Sequence, residues 1–84
     1  MSYILNVKEM LKTKSRVFIF LKQDQKGTTT KLSEAGIWEE HETNNILKNK
    51  DFANCKESSL IYLEKKDDSI KFNALSKKYF QVGK

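Results

Sequence analysis

Apolar and polar positions change their spacing several times along this chain, and each change predicts an element. Asn6-Val7-Lys8-Glu9 has the form of a capping box, in which Asn6 accepts an amide three residues on and Glu9 reaches back. Val7, Met10 and Leu11 then recur at helical spacing, with Lys8, Glu9 and Lys12 facing outward. The pattern predicts a helix over about 7–14; a start at Ser2 is the alternative, and either start puts Tyr3, Val7, Met10 and Leu11 on one stripe. From Arg16 to Lys22 both faces are apolar and β-branched or aromatic, the pattern of a buried central strand. Asp24-Gln25-Lys26-Gly27 signals a reversal, with Gly27 able to supply a positive φ. Thr28, Thr29 and Thr30 favour extended backbone, so 17–23 is expected to pair with about 28–32 as a hairpin whose second strand lies nearer an edge.

Residues 33–56 carry mixed signals. Ser33 can cap a helix through Trp38 and His41, although Gly36 opposes it. Thr43 or Asn44 is a second cap for 45–54, with Ile46, Leu47, Lys50 and Ala53 on one side. The expectation is helix across much of 38–53, broken near Thr43. Ser58 to Lys65 reads as a strand, Leu60 and Tyr62 facing one way, Ile61 and Leu63 the other. After a reversal at Lys66-Asp67-Asp68, Ile70, Phe72 and Ala74 alternate with Lys71 and Asn73, which predicts a hairpin. The tail from Tyr79 to Val82 is a last strand or the end of a short helix from Ser76. Together these elements predict an α+β fold: a small antiparallel sheet of four or five strands, with one or two helices packed on one face.

Composition narrows the picture. The 84 residues make one domain, 1–84, too short to enclose a large active-site cavity. Nine aromatics, 11% of the chain, argue against disorder. The single cysteine, Cys55, excludes an intrachain disulfide framework and points to a reducing, cytoplasmic setting. No apolar run approaches the roughly 20 residues of a membrane span, so no membrane association is expected. Met1 to Leu5 lack a basic segment followed by an apolar one, so no signal peptide is expected. Lysine, asparagine and isoleucine are plentiful while arginine is scarce and proline absent, a bias of AT-rich coding sequences common in phages, mobile elements and some bacteria.

The net charge of +5 is unevenly spread. Residues 1–33 carry seven basic and two acidic side chains, 34–51 two and five, and 52–84 seven and four. Two basic ends around an acidic middle give a dipolar field that selects partners. Lys8, Lys12, Lys14 and Arg16 form one basic group; Lys65, Lys66, Lys71, Lys77 and Lys78, with Tyr79, form another. Lysines beside aromatics suit phosphate backbones, through counterion release and stacking. Arg16 is the sole arginine, however, and bidentate base or phosphate readers favour arginine; solvated lysines serving solubility are the plainer account.

The acidic middle offers Glu34, Trp38, Glu39, Glu40 and Glu42 as a protein-binding set, a tryptophan ringed by charge. A core role for Trp38 is the plainer account in so small a chain. His41 among carboxylates lacks the second His or Cys at metal-ligand spacing, so no metal is expected. Cys55 with His41 shows no orienting third group or oxyanion site. Phosphate loops, nucleophile elbows and spaced Asp pairs are absent from the sequence, so no cofactor and no catalysis are expected. The sequence therefore predicts a small non-catalytic binding protein that engages nucleic acid or a nucleic-acid-handling protein complex through its lysines. The alternative is a protein–protein inhibitor or adaptor of phage or mobile-element origin, acting through the acidic 34–42 segment and Trp38 or through an exposed strand edge. Such an edge can also pair with its copy to form a homodimer.

Overall fold

The computed structural model describes residues 1–82. The fold is α+β. Its main sheet is antiparallel and takes the order β3-β2-β1-β4-β7, with β1 Ser2–Asn6, β2 Phe20–Leu21, β3 Thr28–Thr29, β4 Phe52–Lys56 and β7 Gln81–Val82. A separate hairpin joins β5 Lys65–Lys66 to β6 Ser69–Ile70. Two short α-helices, α1 Val7–Lys12 and α2 Glu40–Ile46, and three 3₁₀ segments at Leu32–Glu34, Glu57–Tyr62 and Ser76–Tyr79 complete the described residues.

The central strand is β1, not the Arg16–Lys22 segment. It pairs with β4 along its whole length, from Ser2↔Lys56 to Asn6↔Phe52, and with β2 at Leu5↔Phe20. Alternation along β1 divides the core in two. Tyr3 and Leu5 join Met10, Phe18, Phe20 and Cys55 on one face; Ile4 joins Leu21 and Trp38 on the other. Each face has its own helix. Met10 of α1 is buried in the first cluster, while Ile46 of α2 and the following Leu47 pack against the second.

Helix α1 starts at Val7, as its sequence predicts, and ends at Lys12. Asn6 Oδ1 accepts the Glu9 amide at 3.0 Å, and the carbonyl of Asp51 accepts the amides of Val7 and Lys8. With the Asn6 amide donating to the Ile19 carbonyl at 2.8 Å, all four amides that a helix start leaves unpaired are satisfied. The helix ends in a Schellman motif: Ser15 N–H donates to the Met10 carbonyl and Lys14 N–H to that of Leu11, with Lys14 at φ 52°. Residues 2–6 are strand rather than the start of this helix, and Leu11 is 60% exposed, so it leaves the apolar stripe.

The expected hairpin forms, with Phe20↔Thr29 and Leu21↔Thr28 in register and β3 at the edge of the sheet. Its positive φ falls on Gln25 (φ 60°), not on Gly27, and Asp24 Oδ1 braces the turn by accepting the Lys26 amide. Gly36 is needed for close approach: a Cβ there would meet the Trp38 ring and lie 2.8 Å from the Gln23 backbone.

Two further expectations are corrected. The helix expected over much of 38–53 stops at Ile46, and 52–56 is strand β4, whose Ala53 and Cys55 lie fully buried opposite Leu5 and Tyr3. The strand expected from Ser58 is a 3₁₀ helix over Glu57–Tyr62, which leaves only a two-residue β5 before the turn at Asp67 (φ 56°). The tail realises both of its alternatives in turn, a 3₁₀ helix and then β7.

Ile4→Ala is expected to lower unfolding stability by about 2–5 kcal/mol, because it opens a cavity beside Trp38 in a strand with no exposed face. Thr43 presents the reverse case: it is buried in α2 and its hydroxyl has no hydrogen-bond partner. Thr43→Val should therefore raise stability by about 1 kcal/mol. Urea denaturation of both variants checks the two signs.

Candidate nucleic-acid interface

The basic groups that lie far apart in the sequence meet through an antiparallel contact outside the main sheet. Val17 bridges Lys71. Phe18 N–H donates to the Ile70 carbonyl and Phe72 N–H to that of Arg16, both at 2.8 Å. Phe18 and Phe72, whose ring centroids are 6.0 Å apart, continue the contact into the core. This pairing sets the backbone of Arg16 against that of Phe72. The Lys77 ammonium lies 5.8 Å from the centre of the Phe72 ring, a cation–π distance.

Lys12, Lys14, Arg16, Lys65, Lys66, Lys71, Lys77 and Lys78 are all exposed. Two members of the predicted set are engaged by carboxylates. Lys8 sits at the opposite end of α1 from Arg16, with its Nζ 3.9 Å from Asp51, and Lys71 pairs with Glu64 at 3.6 Å. Both pairs are solvent-exposed and contribute little to stability. Their consequence is electrostatic: Lys8 and Lys71 present less free charge than their neighbours.

The β5–β6 hairpin, which carries Lys65 and Lys66, is docked onto the Leu32–Glu34 turn. Leu32 N–H donates to the Asp68 carbonyl at 2.6 Å, and the Ser33 amide and hydroxyl donate to the Asp68 carboxylate. The Ser33 hydroxyl bond is the chief reason that the Asp68 carboxyl is held below its ordinary range; the Ser33 amide and the charges of Lys65 and Lys31 add to it.

Tyr79, half-buried at the end of the last 3₁₀ segment, stacks on Tyr62 with centroids 5.6 Å apart and rings 12° from parallel. Sequence reasoning missed Tyr62 because it assigned residues 58–65 a two-residue period. A 3₁₀ helix repeats every three residues. Leu60 and Leu63 therefore share the side that packs on the core, and Tyr62 (66% exposed) and Ile61 (80% exposed) turn outward. The spacing of Leu60 and Leu63 was the signal available in the sequence.

The acidic set divides. Glu34, Glu39, Glu40 and Glu42 are exposed, Glu39 as the N-cap of α2 and the last two in its first turn. Trp38 is 1% exposed, locked between Ile4 and Leu21, and so is corrected from contact residue to core. Donor atoms of Glu39, His41 and Glu42 lie within 4.8 Å of one another, all exposed; three ligands are one short of the usual zinc set. Cys55 and His41 are not brought together. Cys55 is buried on the face of Met10, its thiol pushed up to about 11 by burial, and His41 is exposed on the helix that covers the other face. Among the described residues no helix is long and apolar enough to cross a membrane. Comparison with known proteins finds no matching family model, no matching curated protein and no matching solved structure.

Because the Asp68 pKa is depressed in the folded state, its contribution to hairpin docking is complete above the unfolded-state value of about 3.9 and is lost as pH falls through the lower folded value. An NMR titration of the Asp68 carboxyl carbon should show a midpoint below the ordinary value. Ser33→Ala should move that midpoint up toward it; no upward movement would contradict the assignment.

Proposed function

We propose that this protein is a small non-catalytic module that engages nucleic acid, or a nucleic-acid-handling protein complex, through its exposed lysines. The contact surface runs from the C-terminal end of α1 across the β5–β6 hairpin to the Ser76–Tyr79 segment. The observation that carries this reading is the pairing of Arg16–Phe18 with Ile70–Phe72, which joins two basic segments from opposite ends of the chain.

The chemistry follows from the side chains present. Lysine is a flexible point charge suited to phosphate and poorly suited to bidentate reading of a base edge. A surface with one arginine therefore supports backbone contact with little sequence preference, driven by counterion release. The longest dimension of the protein is 29 Å. At about 3.4 Å per duplex step that limits the footprint to under about nine steps. Three carboxylates lie in or beside the hairpin, Glu64, Asp67 and Asp68, and the pairing of Glu64 with Lys71 offsets part of the repulsion that a phosphate would meet. The protein-partner alternative loses Trp38 to the core in its acidic-segment form; its strand-edge form keeps β3, at the edge of the main sheet.

The test is the salt dependence of binding to labelled oligonucleotides, read by fluorescence anisotropy. Affinity should fall linearly on a log–log plot between about 50 and 200 mM salt. Lys66→Gln, Lys77→Gln and Lys78→Gln should each reduce the slope by about one. Lys8→Gln, which removes a lysine already paired with Asp51, should leave it nearly unchanged. Absence of binding at the lowest salt overturns the reading.

A further inference from the structure

We propose that the Tyr62–Tyr79 stack is a platform for an unpaired base, so that the nucleic acid taken by the lysine surface is single-stranded. The inference rests on the nucleic-acid reading above and narrows it to a substrate class.

The platform is pre-formed. Tyr79 is held by a fixed turn: Asn73 Oδ1 accepts the amides of Leu75 and Ser76, and the Ser76 hydroxyl, itself buried, accepts the Asn73 amide. Tyr62 lies nearly parallel on Tyr79. The two near-parallel rings are offset, and Tyr62 is 66% exposed, so its ring is accessible to a further planar group. Its neighbour Ile61 is more exposed still, so the 3₁₀ helix presents a small apolar surface that the core does not use. A rigid ring already oriented loses little entropy when it takes a further ring.

Charge complementarity identifies the occupant. Lys77 and Lys78 immediately precede Tyr79, and Lys65 and Lys66 follow Tyr62 by three and four residues; all four are exposed. A flat apolar face flanked by cations fits a ligand that alternates planar rings with phosphates. In a duplex the base faces are stacked on one another and cannot reach the ring, whereas in a single strand they can. Stacking is tolerant of base identity, which agrees with the absence of bidentate readers on this surface.

The experiment compares three labelled probes of about 12 units by fluorescence anisotropy: a single strand of thymidines, an abasic strand with the same phosphates, and a duplex. The wild type should prefer the thymidine strand over both others. Tyr62→Ala, at an exposed position, should weaken binding to the thymidine strand by about 5- to 100-fold and change the other two by less than about twofold. Tyr62→Trp should restore it. If all three probes bind equally and Tyr62→Ala changes none, the platform is refuted while the lysine reading stands. If the thymidine strand and the duplex both fail to bind at low salt, both fall. Circular dichroism of each variant separates loss of binding from loss of fold.

Discussion

With hydrogen-bonded strands on both edges and buried side chains on both faces, β1 has almost no surface left for water between Tyr3 and Leu5. The other elements are arranged to cover one of its four sides. β4 and β2 take the edges. Met10 of α1, with Phe18, closes the face of Tyr3 and Leu5; Trp38 and α2 close the face of Ile4. Burying side chains of this size contributes about 1.5–3 kcal/mol each, a large share of the 5–15 kcal/mol typical of a whole domain. The cost of so thin a core is tight geometry. Gly36 has no room for a methyl group beside Trp38, and β4 faces Leu5 and Tyr3 with the small side chains of Ala53 and Cys55.

The same economy explains the lysine surface. A second, aromatic layer of Phe18, Phe72 and Phe80 extends the first core beyond the main sheet, with centroid separations of 5.6–6.1 Å. To build it, the chain must bring Ile70–Phe72 alongside Arg16–Phe18, and the basic residues flanking those aromatics are carried to one region as a result. Apolar packing thus assembles an electrostatic surface that the charges, repelling one another, would not assemble. On the other side of the sheet α2 begins with Glu40 and Glu42, favourably placed at the positive end of the helix. The α2 side of the molecule thus carries Glu39, Glu40 and Glu42, while Glu64, Asp67 and Asp68 lie among the lysines of the β5–β6 hairpin.

Local sequence determined what local forces control. Half of the capping box at Asn6–Glu9 is formed as written: Asn6 Oδ1 accepts the Glu9 amide, a bond that spans three residues and needs no tertiary partner, whereas the Asn6 amide donates to the Ile19 carbonyl and not to the Glu9 side chain. The hairpin of β2 with β3 and the reversal at Asp67-Asp68 were legible for the same reason, as were the class of the fold and the exposure of the lysines. Tertiary structure decided the rest. Ser2–Asn6 and Phe52–Lys56 have no strand signal of their own: the first is a short apolar run that a helix fits as well, and the second contains alanine and asparagine, poor strand formers. Each becomes a strand because the other, distant in sequence, satisfies its backbone. Tyr62 reached the surface through a three-residue period that the core imposed through Leu60 and Leu63, and Trp38 left it because Ile4 and Leu21 supplied a pocket. Patterns within a few residues fix bonds within a few residues; which of two periods a segment adopts, and hence which side chains meet water, depends on the partner that packs against it.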